Sequence, residues 1–137
     1  MDKPTPKPTK ESSYYWEGCC AHELRYQYCE SCQRAQFPPS ARCRNCHTSE
    51  IKWRKSDLRG TVHSFSLVHR APTKAFVADV PYYVGLIDMD EGFRIMTNVQ
   101  PINERKFEIG APVQIFFEKR DNATVLPQAR IVTKTEE

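Results

Sequence analysis

The sequence predicts a mainly β chain: a short N-terminal helix, then a four-cysteine ribbon, then a five-stranded barrel. Three observations carry that prediction. An apolar stripe opens the chain, two Cys-x-x-Cys pairs follow with ten residues between them, and five strand-length segments fill residues 60–133.

The elements follow in order. Residues 1–11 are rich in Lys, Pro and Thr and read as a flexible tail. Over 12–23, Tyr15, Trp16, Cys19, Cys20 and Leu24 form one apolar stripe, which predicts a helix despite Gly18. Residues 24–56 hold the cysteine module, entered by "LRYQYC", whose alternation is that of a strand. The remainder, 57–133, reads "GTVHSFSLVHR" (60–70), "YYVGLIDMD" (82–90), "FRIMTNVQ" (93–100), "PVQIFFEKR" (112–120) and "TVLPQARIVT" (124–133). "DMDEG" and "RDNA" have hairpin-turn composition, and "INERKFEIG" (102–110) has room for one helical turn before Gly110. Five short strands with an insertion between the third and fourth predict a small closed barrel of the oligonucleotide/oligosaccharide-binding (OB) type.

Cys29, Cys32, Cys43 and Cys46 give the clearest chemistry. Each Cys-x-x-Cys turn delivers two thiolates, and Zn²⁺ takes four in a tetrahedron. Four protein sulfurs leave no open position, so the expected metal is structural; iron in a rubredoxin-like site has similar ligands. Two disulfides are the competing reading and fit an oxidising compartment. "MDKPTPKPTK" has no apolar run behind its lysines, so a cytoplasmic setting is expected instead. Phe37-Pro38-Pro39 forms the stiff connection between the knuckles, with Phe37 expected to cap the site, and His47 is a bystander.

Charge narrows the partners. Residues 1–56 carry ten Lys+Arg against six Asp+Glu, whereas 57–137 carry ten against eleven. Four thiolates and Zn²⁺ add −2, lowering the formal +3 to +1. That is little field for gripping a phosphate backbone.

Other candidates are weaker. Cys19 and His22 stand at i, i+3, but buried apolar roles are expected for Cys19 and Cys20. His63 and His69 face one side of a strand but lie about 20 Å apart, so they are expected to be unconnected. In "VHRAPTKAF" (68–76), Arg70 and Lys74 flank Phe76, a set suited to a phosphate-bearing ligand with an adenine ring or apolar arm. No complete catalytic constellation is recognisable, and no catalytic residue is expected in this chain.

"YYWEG", "QYCESC", "FPPSARCRNC", "GTVHSFSLVHRAP", "VPYYVGLIDMDEG" and "IGAPVQIFF" occur in an order that resembles a family of small proteins pairing a rubredoxin-like zinc ribbon with an acyl-CoA-associated OB-fold. The resemblance covers residues 13–127. It implies an accessory subunit of thiolase-fold enzymes, or of aldolase, acyltransferase or hotdog-fold hydratase complexes acting on CoA thioesters. The partner would carry the nucleophile, in a two-plus-two assembly, with aromatic, hydrocarbon or sterol degradation as the implied setting. It also makes Arg70, Lys74 and Phe76 the candidates for coenzyme A contact. The Cys19-Cys20 pair and the missing aromatic after Leu126-Pro127 depart from the pattern.

The expected function is therefore a zinc-binding accessory subunit of a heteromeric thiolase acting on a 3-oxoacyl-CoA. A reading from another class is a single-stranded nucleic-acid module stacking bases on Tyr82, Tyr83 and Phe93. A redox sensor built on Cys19 and Cys20 is the third.

Overall fold

The computed structural model describes residues 5–101, 107–121 and 124–132. Among these, no helix is long and apolar enough to cross a membrane. Of 102–110, expected to hold one helical turn, residues 102–106 lie outside the described residues.

Helix α1 runs Ser13–Cys20 and ends earlier than the apolar stripe suggests. His22 takes a left-handed backbone (φ 59). Glu23 N–H then bonds Gly18 C=O at 2.8 Å and His22 N–H bonds Cys19 C=O at 3.0 Å. This Schellman closure satisfies the last carbonyls and turns the chain into the ribbon. Tyr15 and Cys19 are buried, as the stripe requires, but Cys20 is exposed, which corrects its expected burial.

The ribbon is a three-stranded antiparallel sheet, β1 Arg25–Cys29, β2 Arg34–Gln36 and β3 Ile51–Lys55, in the order β2-β1-β3. Its apolar interior is thin, and Leu24 and Tyr26 are spent on contacts with the rest of the chain.

The barrel comprises β4 Arg59–Val68, β5 Tyr82–Met89, β6 Arg94–Gln100, β7 Pro112–Lys119 and β8 Val125–Ile131. The strands close in the order β4-β5-β6-β8-β7, with β6 and β8 parallel and the other pairs antiparallel. All five strands begin and end within two residues of their expected bounds, and the topology is that of an OB barrel. Burial alternates along β6, exposed at Arg94 and buried at Ile95, onward to Gln100. The inward side chains, including Ile87, Val62, Val113 and Ile115, are almost fully buried. "DMDEG" is the β5–β6 hairpin, with Gly92 at φ 99. At Gly60 a Cβ would stand 2.5 Å from the Asp88 carbonyl, so the close approach of β4 to β5 requires glycine.

An aromatic seam joins ribbon to barrel. Tyr26 stacks on Phe93 at 4.7 Å, Phe37 lies 5.9 Å from Phe93 and 5.2 Å from Tyr15, and His22 stacks on Phe117 at 5.4 Å. Phe37 was expected to cap the metal site; its ring contacts lie in this seam instead. A polar latch stands beside the rings. Glu91 accepts from Ser56 Oγ at 2.8 Å and from Asp57 N–H at 2.7 Å, and Ser56 N–H bonds Leu24 C=O at 2.9 Å.

Candidate metal centre and barrel cleft

The knuckles are tight because each second cysteine is followed by a left-handed residue, Gln33 (φ 56) and His47 (φ 63). That reversal brings the two turns face to face. Sγ of Cys29 lies 3.6 Å from Sγ of Cys46, and Cys32 lies 3.8 Å from Cys43. The four sulfurs all fall within 4.8 Å of one another. A tetrahedron with Zn–S near ~2.3 Å has sulfur edges of ~3.8 Å, so the Cys29–Cys46 and Cys32–Cys43 pairs already stand at the spacing a bound Zn²⁺ requires.

Polar groups around the sulfurs favour thiolates. Asn45 N–H and Cys46 N–H approach Cys43 Sγ at 3.4 and 3.5 Å, and Asn45 Nδ2 approaches Cys32 Sγ at 3.2 Å. The backbone N–H groups of Cys46 and Asn45 lower the Cys43 pKa to about 6. At Cys46 a backbone contact with Thr48 lowers the pKa, but the neighbouring sulfurs of Cys32, Cys29 and Cys43 outweigh it and push it up to about 12. Four crowded sulfurs shed their last protons only with a cation among them. Buried Gln27 braces the site by accepting from Ser40 N–H and Gln36 Nε2 and donating to Ser40 C=O, each at 2.8 Å. Sequence periodicity gave no sign of this brace. His47 contributes no atom to the cluster; its backbone N–H bonds Cys43 C=O at 2.9 Å.

The other thiols and histidines are rearranged relative to expectation. Burial pushes the Cys19 thiol up to about 11, despite the hydrogen bond from Tyr15, so it rests protonated. His22 stacks on Phe117, outside the helix, which removes the Cys19–His22 pairing. β4 ends at Val68, so His69 lies beyond the strand that was expected to carry it. His63 takes part in a charged cluster on the barrel surface. Its Nδ1 lies 3.2 Å from Asp88 Oδ2 and 3.2 Å from Arg94 Nη2, while Arg94 Nε donates to Asp88 Oδ1 at 2.6 Å. Arg94 holds the Asp88 carboxyl below its ordinary pKa.

Arg70 and Lys74 are exposed on the β4–β5 connection, where Lys74–Phe76 forms a single 3₁₀ turn. Phe76 turns inward, 6.3 Å from the Tyr82 ring. Behind it opens a cleft of about 210 Å³ floored by Arg120, Glu118 and Gln128. Of the aromatics considered for base stacking, Phe93 is buried against Tyr26, and Tyr83 packs on Phe65 and Phe107. The expected stacking row therefore does not exist as a row.

Comparisons with known proteins fit this geometry. Residues 16–51 match the family described as ChsH2, rubredoxin-like zinc ribbon domain, and residues 53–118 match ChsH2, C-terminal OB-fold domain. A probable enoyl-CoA hydratase alpha subunit of Thermomonospora curvata is 31% identical across 98% of this chain and 42% of that protein. The 3-oxo-4,17-pregnadiene-20-carboxyl-CoA hydratase alpha subunit of Mycobacterium tuberculosis is 31% identical across 80% of this chain and 34% of its own length. The chain thus spans well under half of either relative. A chain of the solved Ltp2-ChsH2(DUF35) aldolase superposes with a TM-score of 0.82 at 29% identity, covering 93% of this chain and 99% of that one.

Proposed function

The chain belongs to the ChsH2 family of paired rubredoxin-like zinc ribbon and OB-fold domains, and on that premise we propose that it is an accessory subunit of a heteromeric enzyme acting on CoA thioesters. The observation that carries this reading is the near-complete superposition on a chain of the Ltp2-ChsH2(DUF35) aldolase. Cys29, Cys32, Cys43 and Cys46 hold Zn²⁺, which cross-links the ribbon, and a reducing cytoplasm suits those thiolates. The ribbon and helix hold the barrel against the partner, which supplies the nucleophile and the catalytic acid and base. The partner is of the thiolase or aldolase type, making or breaking a C–C bond next to the thioester, in a two-plus-two complex. Arg70, Lys74 and Phe76 face coenzyme A at the partner interface.

A hydratase complex is the second reading, favoured by the match to the Thermomonospora curvata subunit across 98% of this chain. Co-expression with the thiolase-fold and the hotdog-fold products of neighbouring genes separates the two. Co-purification with the first, giving C–C cleavage of an acyl-CoA, supports the aldolase or thiolase assignment. Co-purification with the second, giving hydration, moves the chain to a hydratase. A chain that elutes alone beside both overturns the proposal.

A further inference from the structure

The four sulfurs of the metal centre are not equivalent. Cys29 and Cys43 are 1% and 4% exposed, Cys32 is half-buried, and Cys46 alone of the four stands exposed. Hydrogen bonds deepen the asymmetry. Cys43 Sγ is approached by the backbone N–H groups of Asn45 and Cys46, and Cys32 Sγ by Asn45 Nδ2. An N–H aimed at a thiolate draws charge from it, so the sulfur it reaches attacks an electrophile more slowly. Cys46 is therefore the sulfur that solvent reaches most readily. Beside it, at 3.6 Å, lies the buried sulfur of Cys29.

What happens at these sulfurs is felt beyond them. The connection between the knuckles carries Phe37 into the seam, against Tyr15 and Phe93. The same connection carries Ser40, whose backbone N–H and C=O both bond the Gln27 side chain. Strand β1, which ends in Cys29, brings Tyr26 onto Phe93. Metal centre and seam thus share the same short segments. With little apolar interior in the ribbon, those segments keep their places through the metal.

We propose that the zinc centre is an oxidant-sensitive lock that opens at Cys46, the oxidant being a small peroxide. The Cys46 thiolate attacks one peroxide oxygen. The O–O bond breaks, leaving a sulfenic acid on Cys46 and releasing hydroxide. The Cys29 thiolate then attacks the Cys46 sulfur, the S–O bond breaks, and a Cys29–Cys46 disulfide forms as a second hydroxide departs. Two thiolates have given up two electrons, the peroxide has taken them, and two protons from solvent turn both hydroxides to water. The site then keeps two of its four sulfur ligands, too few to retain Zn²⁺. The connection that carries Phe37 loosens from the barrel, and a thiol reductant with Zn²⁺ resets it. This switch is independent of which enzyme the chain accompanies.

The zinc-loaded full chain, treated with hydrogen peroxide, tests the proposal. Each Zn²⁺ released to the chromophoric chelator 4-(2-pyridylazo)resorcinol should accompany the loss of two thiols, and peptide mass spectrometry should place the first disulfide at Cys29–Cys46. Dithiothreitol with added Zn²⁺ should restore the zinc content. Cys46→His keeps a four-ligand set that Zn²⁺ accepts and should slow release about tenfold or more, since the open sulfur is gone. Cys20→Ser, which changes the other exposed thiol, should leave the release rate as it is. Zinc retained under excess peroxide overturns the proposal. So does a first disulfide that omits Cys46, or a release rate unchanged in Cys46→His. Should Cys46→His fail to take up zinc, the disulfide mapped in the natural chain decides by itself.

Discussion

Ribbon and barrel are both β-structures of one chain, yet they are held together by different forces. The barrel closes on itself around a continuous interior of Val62, Ile87, Ile95, Val113 and Ile115. The ribbon's three strands enclose almost nothing apolar, and its centre is four sulfur atoms. Where the barrel uses area removed from water, the ribbon uses coordination bonds and a few hydrogen bonds. A small sheet can thus afford a surface given over to cations, with Arg54 over the Tyr28 ring at 3.6 Å and Arg25 over Tyr14 at 4.1 Å. The difference also sets how each half fails.

The largest break comes from the metal. Stripping zinc with a strong chelator, or Cys43→Ser, removes on the order of 10 kcal/mol of ribbon folding energy. Amide exchange of β1 and β3 then becomes fast while that of β5 and β6 stays slow. If the barrel melts with the ribbon at the same chelator dose, the two halves are one cooperative unit and the contrast fails.

The converse break is Ile87→Ala, at a site with no exposed surface. It costs about 2–5 kcal/mol of barrel stability by cavity formation, read from urea unfolding, with zinc content unchanged at low denaturant. The coupling of the halves is smaller. A double-mutant cycle on Tyr26→Ala and Phe93→Ala is expected to return about 1 kcal/mol for the stacked rings. Zero coupling would make the seam mere contact.

Least in effect is the Cys19 thiol. Its folded pKa, about 11, stands above the ordinary thiol value of 9.0, because burial favours the protonated form. The stability it contributes is therefore complete below pH 9 and is lost as pH rises through 11. The melting temperature should fall across that window, and Cys19→Ala should flatten the fall.

Much of this architecture was legible in the sequence because its signals are local. A Cys-x-x-Cys turn needs neighbouring residues only, and a period of two along "FRIMTNVQ" declares which side chains point inward. The end of α1 was less legible. The stripe continues to Leu24, but His22 adopts the left-handed conformation that the Schellman closure needs and stops the helix at Cys20. The site itself was read in part. Arg70, Lys74 and Phe76 were singled out from one loop, while Arg120, Glu118 and Gln128, which line the cleft beside Phe76, come from β7, its end and β8, some forty to fifty residues later.

The sequence by itself determined the zinc ligands, the strand set and the order in which ribbon precedes barrel, since each depends on spacing along the chain. Only the tertiary structure decided that Phe37 joins Tyr15 and Phe93 in the seam, that Glu91 reaches back to Ser56 and Asp57, and that His63 meets Asp88 and Arg94. Those contacts join residues distant in sequence. Barrel closure and docking of the ribbon set them, and no local period records which distant side chains will share a space.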